Sequence, residues 1–472
     1  MVMQVTVPQK VGECPGGKRR TEQATTRRAV IVPAMMGAAA STALAACVPA
    51  APQGPAGADR KTRPFVALEY WTFMPTETRV PARKELFPEF EAQFNTRIET
   101  NDALGGWEEK IQASWAAGVL PDLIDPNRPS SLNDWAQRGM FEPVDRVLAA
   151  LGRDDFYEPA RVAVTSGGKL YGVPYIGFPQ ILYYRKDWYQ RRGLKDPPKT
   201  WDDLLQNAQA LHGVSPDGQE VAGFAGFFDK SQGWLLWQDF VGPNGGETFD
   251  RQGKLHVNTP NVLEALVLID RLVPLMQAGA ATAGYGANNG PFTQGKLAHH
   301  ISSSSLAHAL ANSAPELAPH IGAIPIPQGP RGKGDRGGYN GIAYLCYTTL
   351  SKYKDRCEEF LKWFFSKEIH LRLFAGIDRG LLPMRNSVGK SAEYLNYPHL
   401  QAVKTIVAAG VQAQPIATLI AEDHGPNPLA FNLWAADCHV NMTKSLYLRQ
   451  AAPRQALDTG EACMRGAIQT RS

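Results

Sequence analysis

Apolar residues first gather at Phe65-Val66-Ala67-Leu68-Glu69-Tyr70-Trp71, a β-rich run that predicts a strand. The spacing then changes. Leu86, Phe87, Phe90 and Phe94 fall close to the 3.6-residue period of one helix face. Arg97-Ile98-Glu99-Thr100 predicts a second short strand, Trp107 to Ala117 a second helix, and Pro121-Asp122-Leu123-Ile124 a buried strand. Strand alternating with helix argues for an α/β domain with a largely parallel sheet.

The middle of the chain is sharply punctuated. Gly167-Gly168-Lys169-Leu170-Tyr171-Gly172-Val173-Pro174-Tyr175 predicts a turn running into a strand; after Gly177 and Pro179, Ile181-Leu182-Tyr183-Tyr184 predicts another. Thr200 with Asp203 forms the pattern of a capping box, opening a helix whose apolar face carries Trp201, Leu204, Leu205 and Ala208. Thr259-Pro260 starts a further helix and Gly279 is expected to end it. Ser351 opens one that buries Cys357, Phe360, Leu361, Phe364 and Phe365. The last eighty or so residues alternate helical patterns with loops.

The N-terminus has a different character. Arg27-Arg28 precede an uncharged, small-residue run from Ala29 to Ala46 that closes in Leu44-Ala45-Ala46-Cys47. A basic n-region, an apolar stretch and a small-residue cleavage site predict an export signal over residues 1–46. The paired arginines resemble a twin-arginine signal. The cysteine ending resembles a lipoprotein box, which makes Cys47 the lipid attachment point. Pro33 and Gly37 interrupt the run, which at 18 residues sits at the lower limit for a membrane span. Residues 47–63, rich in Pro, Ala and Gly, predict a disordered tether.

Charge follows this division. The signal holds Lys10, Lys18, Arg19, Arg20, Arg27 and Arg28 against Glu13 and Glu22, so its removal from totals of 49 basic and 45 acidic residues leaves 43 of each. A neutral mature chain gives no electrostatic footprint for nucleic acid. The 426 residues after residue 46 suffice for two domains. Cys346, Cys357, Cys438 and Cys463 allow three pairings in an exported compartment, and none has the C-x-x-C spacing of a zinc or redox site. Buried thiols or one structural bridge are expected.

Several strings then fall in the order of a known family. Gly168 to Tyr175 resembles a lobe-to-lobe crossing, and Leu182-Tyr183-Tyr184-Arg185-Lys186-Asp187-Trp188 is similar to a leucine-tyrosine-tyrosine-asparagine-lysine-aspartate motif. Pro197-Pro198-Lys199-Thr200-Trp201-Asp202-Asp203-Leu204 resembles the most recognisable signature. Asn244-Gly245-Gly246, Phe292-Thr293-Gln294-Gly295-Lys296, Gly337-Gly338 and Gly380-Leu381-Leu382-Pro383 follow in sequence. Together they resemble extracellular solute-binding proteins of family 1, which feed sugar-type ABC importers. That resemblance implies a two-lobed α/β periplasmic-binding-protein fold of type II character, with about three hinge crossings, near Pro174, Gly338 and Gly380. Residues 64–174 plus 339–380 are expected in the N-terminal lobe, and 175–338 plus 381–472 in the C-terminal lobe. It also implies a ligand held between lobes that close around it, permease subunits as partners, membrane attachment through the lipid, and a monomer without cofactor or metal.

Ile301-Ser302-Ser303-Ser304-Ser305-Leu306-Ala307, with Trp234 and Trp237, looks most like the branch that binds glycerol 3-phosphate and its diesters. Leu381 stands where that branch has a tyrosine, and no arginine counterpart lies between Gln412 and Trp434. Phosphate is held by arginine forks or backbone nests, so a neutral sugar or polyol is the preferred reading and glycerol 3-phosphate the alternative.

Sugars need flat aromatic faces for their C–H surfaces and planar polar groups for their hydroxyls. Trp71, Trp107, Tyr175, Trp234, Trp237, Tyr285 and Tyr339 are the candidate platforms. Asp122, Gln232, Ser303, Ser304 and Asn340 are candidate hydroxyl partners, and Gly338 offers backbone groups at the hinge. Trp234 and Trp237, three apart on one helix, also fit a core stripe.

Catalysis finds little support. Glu108-Glu109 and Asp154-Asp155 are adjacent pairs that point apart, unlike the facing carboxylates of an exported carbohydrate hydrolase, the alternative of another class. His299, His300 and His308 have no carboxylate to complete a metal set. Gly332-Lys333-Gly334-Asp335-Arg336-Gly337 has dinucleotide-loop spacing but is followed by a strand-like segment where a helix would be needed.

Overall fold

β1 (Val66–Thr72) runs between β2 (Thr96–Asp102) and β3 (Leu123–Asp125), parallel to both. Val66 and Leu68 point inward and Ala67 and Glu69 outward, after which Tyr70, Trp71 and Thr72 are all buried. The helix Arg79–Phe94 covers this trio with Ala82, Leu86, Phe87 and Phe90. Asn95 ends it in the left-handed conformation, and the chain turns into β2. The structure, a computed structural model, describes residues 63–72, 77–102, 106–126, 129–230, 232–425 and 427–469. The export signal with Arg27 and Arg28, the lipid-attachment Cys47 and nearly all of the tether therefore lie outside the described residues.

The central feature is β4 (Val173–Arg185), a 13-residue strand buried along almost its whole length. β5 (His299–Ser303), β6 (Ile321–Pro325), β7 (Asn340–Tyr347) and β8 (Leu382–Pro383) all pair with it antiparallel. The sheet order is β6–β4–β7–β3–β1–β2, with β5 and β8 also on β4.

Gly177 and Pro179 predict a break that does not occur. Pro179 has no N–H, yet its carbonyl accepts Ser304 N–H at 2.9 Å, and Gln180 N–H reaches Tyr339 O at 2.7 Å, so the ladder continues around it. A Cβ at Gly177 would come within 2.4 Å of Gln414 Oε1 and 2.5 Å of Met384 Sδ. The glycine therefore serves close packing at the crossing rather than a turn.

Two hydrophobic cores flank this strand. Leu68, Phe90, Leu123, Phe360 and Phe364 belong to the first. Leu204, Phe224, Phe240, Leu266, Leu446 and Leu457 belong to the second. The expected mixed α/β fold with two lobes is what forms. Val388, Leu400, Val403 and Ile406, from the segment after β8, pack in the first core.

Local signals held to different degrees. The capping box is present: Asp203 N–H donates to Thr200 Oγ1 at 3.1 Å and Thr200 N–H to Asp203 Oδ2 at 3.2 Å, opening Trp201–Leu211. Helix Pro260–Leu272 stops before Gly279, because Pro274 supplies no N–H and the chain tightens into the 3-10 turn Val273–Leu275. The helix expected from Ser351 starts at Lys354. Cys438 and Cys463 form a disulfide between the last two helices, Cys438–Tyr447 and Pro453–Gln469, while Cys346 and Cys357 are buried free thiols. Among the described residues, no helix is long and apolar enough to cross a membrane.

Candidate functional site

Three backbone segments lie side by side where β4 passes from one core to the other. Tyr339–Asn340 borders Pro179–Gln180 on one side, and Ser303–Ser304 borders it on the other. Five of the expected residues, Ser303, Ser304, Gly338, Tyr339 and Asn340, are thereby brought together. Thr418 N–H donates to Gly338 O at 3.0 Å and Asn340 N–H to Thr418 O at 3.2 Å, which adds a fourth segment to the group.

An aromatic corner stands beside this crossing. Trp234, 8% exposed at the start of helix Trp234–Val241, meets the half-buried Tyr339 ring edge-on, with centroids 5.0 Å apart. Trp434, also half-buried, lies against Trp234 with centroids 4.3 Å apart. Asn340 is fully buried, and neither atom of its side-chain amide has a partner among the described residues. Ser303 Oγ is hydrogen-bonded to Ser305 Oγ, whereas Ser304 Oγ donates to Gly380 O and acts as an internal tie.

Two cavities of about 380 Å³ each open between segments distant in sequence. One separates Glu158, Pro159 and Val162 from Arg251, Arg336, Asp423 and His424. The other separates Asn133, Gln137 and Ser166 from His424, Gly425 and Pro428. Much of the charge in this region is already paired. Arg336 Nη2 donates to Asp423 Oδ2 at 2.7 Å, and Glu247 is bonded to both His256 and His424. Burial pushes the Glu422 carboxyl up to about 8, and raises Asp423 despite Arg336.

The remaining expected residues lie elsewhere. Asp122 precedes β3, at the end remote from the crossing; Glu69 N–H donates to its Oδ2 at 2.9 Å and Ser351 Oγ to its Oδ1 at 2.5 Å, so it ties the lobe together. Tyr175 is fully buried and donates to Asp125 Oδ2 at 2.9 Å. Trp237 is fully buried in the second core against His439, as the apolar stripe of its helix requires, and is no platform. Trp71 is 7% exposed, its Nε1 donates to Glu69 Oε1 at 2.6 Å, and Lys110 Nζ lies 3.9 Å above its ring. Trp107 packs edge-on against Trp135 at 5.7 Å. Tyr285 begins the 3-10 turn Tyr285–Asn288, its side chain outside the description, and Gln232 is exposed.

Sequence patterns pass over three features. Trp434 sits in the helical C-terminal stretch without a distinguishing motif. Asp239 is hidden in an apolar helix; its Oδ1 accepts Tyr339 N–H at 3.0 Å, and burial raises its carboxyl well above the usual range. Asp125 anchors a buried polar cluster at the end of β3, accepting from Tyr70 OH at 2.9 Å and Thr72 Oγ1 at 2.8 Å, with Arg79 at 3.2 Å and Arg83 at 3.4 Å. Polar residues at strand ends are the one signal that could have singled it out.

Three of the four paired carboxylates are held by neighbouring side chains. Glu108 accepts from Ser131 Oγ at 2.6 Å, Asp154 pairs with Arg161 at 3.0 Å, and Asp155 holds Arg385 at 2.7 Å. His299 and His300 are buried, and burial lowers them to about 4 and about 3. Among the described residues no group of three His, Cys, Asp or Glu side chains is placed to hold a metal.

Residues 75–370, more than half the chain, match the bacterial extracellular solute-binding protein family. The chain belongs to that family. Solute-binding proteins of this kind are not enzymes, which removes the hydrolase reading. A protein of Brucella abortus, described only as a binding protein, is 26% identical over 395 residues, covering 81% of this chain and 88% of its own. The diacetylchitobiose binding protein of Streptomyces coelicolor is 21% identical over 356 residues, 74% of this chain and 80% of its own. Among solved structures, the cyclic alpha-maltosyl-1,6-maltose binding protein of Arthrobacter globiformis superposes with a TM-score of 0.70 at 19% identity, over 86% of this solute-binding chain and 100% of that one.

Proposed function

We propose that this protein captures a neutral sugar, oligosaccharide or polyol between its lobes and delivers it, unaltered, to the transmembrane subunits of an ABC importer. The observation that carries the reading is the corner of Trp234, Tyr339 and Trp434 at the strand crossing that brings Ser303 and Asn340 together. Aromatic rings there supply stacking surface, and the Asn340 amide and Ser303 hydroxyl supply planar and rotatable partners for ligand hydroxyls. Diacetylchitobiose and maltosyl-maltose, named for two similar proteins, are both carbohydrates. Closure follows from differential contact: a ligand touching both lobes favours the closed state only by its extra affinity for it.

Export through the signal at residues 1–46 and acylation of Cys47 complete the proposal, with the Pro/Ala/Gly tether letting the binding body swing beside the membrane. A thermal-shift screen of monosaccharides, disaccharides, oligosaccharides, polyols and glycerol phosphates tests the ligand class. Saturation at 100 times Kd stabilises by about 2.7 kcal/mol, which is readily seen as a raised Tm. A response to glycerol phosphates alone would replace the neutral-ligand reading. Labelled palmitate incorporated by the natural chain and lost in Cys47→Ser tests the anchor.

A further inference from the structure

We propose that Asp239 is a positioning residue that fixes Tyr339, and with it the aromatic corner, for ligand binding; this rests on the sugar-binding reading above. Asp239 lies on helix Trp234–Val241, five residues after Trp234, and is fully buried. Its Oδ1 accepts the Tyr339 N–H at 3.0 Å, so one side chain of the helix that presents Trp234 also grips the backbone that presents Tyr339. The contact crosses the point where the chain leaves the second core for β7, and the two rings meet at 5.0 Å as its consequence.

The surroundings are shaped for that grip. A Cβ at Gly338 would lie 3.0 Å from Asp239 Oδ1 and 2.5 Å from Ile326 Cδ1, so the backbone reaches the carboxyl only because residue 338 is glycine. Gln238, beside Asp239, donates through Nε2 to Thr418 Oγ1 at 2.9 Å, and Thr418 Oγ1 in turn donates to Gly337 O at 3.0 Å. Two consecutive polar residues inside an otherwise apolar helix thus hold two segments of the crossing, at Tyr339 and at Thr418. Burial favours the uncharged carboxyl, and Asp239 Oδ2 has no partner among the described residues. A group so placed is costly for stability alone, since leucine would fill the same volume without a desolvated carboxyl. Its use is to set where the Tyr339 backbone sits relative to Trp234.

The test uses the full chain with Asp239→Leu, Asp239→Asn and Tyr339→Leu, and reads two independent quantities. The first is Kd for a sugar or polyol that raises the wild-type Tm. Asp239→Leu is expected to weaken binding about tenfold or more, and Asp239→Asn, which keeps a carbonyl acceptor, by about threefold or less. In the Tyr339→Leu background, Asp239→Leu is expected to add almost nothing, the signature of action through Tyr339. The second quantity is hydrogen exchange of the Tyr339 amide without ligand, expected to be protected in wild type and to accelerate in Asp239→Leu. Should Asp239→Leu fail to fold, Gly338→Ala attacks the same contact from the other side and is expected to show the same loss and acceleration. Wild-type binding with an unchanged Kd in Asp239→Leu, additive losses with Tyr339→Leu, or unchanged amide exchange would overturn the assignment. Failure of wild type to bind any sugar or polyol would instead overturn the reading on which it rests, and the exchange measurement would still report whether Asp239 holds Tyr339.

Discussion

Asp125 and Tyr70, from neighbouring parallel strands, are joined by a buried 2.9 Å hydrogen bond from the phenol to the carboxylate. Arg79 and Arg83, from the helix that follows β1, close on the same oxygen. Strand ends, helix and crossing strand are tied at one atom, since Tyr175 of β4 also donates to it.

Removing that carboxylate takes a shared counter-charge from two buried guanidinium groups and leaves Arg83 with Asp102 at 3.5 Å. Asp125→Ala is expected to destabilise by about 3–5 kcal/mol, the range for breaking a buried pair. Asp122→Ala, at the other end of β3, should cost much less and leave sugar affinity unchanged. Urea unfolding of both variants, with a binding curve for the second, checks the pair of outcomes.

The two tryptophans of helix Trp234–Val241 should separate cleanly. Trp237 is wholly enclosed, so Trp237→Ala is expected to lose about 3–5 kcal/mol of stability. Trp234→Ala should instead weaken ligand binding by about tenfold or more, with a smaller drop in Tm. Calorimetric titration beside thermal unfolding reads both; equal stability losses would assign Trp234 to the core as well.

Acid should unfold the protein through its buried histidines. Burial lowers His370, His439 and His300 to about 3 and His299 to about 4, against 6.5 in the unfolded chain. Between these values the unfolded state binds more protons, so stability is full above pH 6.5 and falls as pH drops toward 3–4, by about 1.4 kcal/mol per unit for each histidine. His370 packs between Phe365 and Phe374, so His370→Phe should flatten the fall by one such contribution. Glu422, raised to about 8, acts with the opposite sign: its contribution favours the fold below pH 4.5 and is lost as pH rises to 8. Urea midpoints from pH 4 to 8 for wild type, His370→Phe and Glu422→Gln resolve the terms.

The disulfide between Cys438 and Cys463 closes a short loop across the last two helices. Cys463→Ser is expected to destabilise by about 2–4 kcal/mol and to leave ligand affinity intact. A fall in affinity equal to wild-type reduction would show that the C-terminal helices shape the site.

Fold class was legible because the periodicity of Leu86, Phe87 and Phe90, the capping box at Thr200 and the ordered motif strings are local or nearly so. Gly177 and Pro179 misled because their roles are tertiary: one admits Gln414 and Met384, the other sits where its missing N–H goes unused. The site was legible where backbone order imposes adjacency, as for Ser303 and Tyr339 on either side of Gln180. Residue type alone could not show that Trp234 meets Tyr339 while Trp237 meets His439, or separate Asp122 from Asp125, since contacts are decided by elements distant in sequence. Trp434 joins the corner by a contact across 200 residues of chain that no spacing rule reaches.

The most direct measurement is equilibrium dialysis of the protein against a sugar or polyol from the thermal screen, followed by mass spectrometry of the released ligand. One ligand per chain, recovered with unchanged mass and lost when Trp234 and Tyr339 are both replaced by alanine, is the predicted result. A converted product, or undiminished uptake by the double variant, would contradict reversible capture at the aromatic corner.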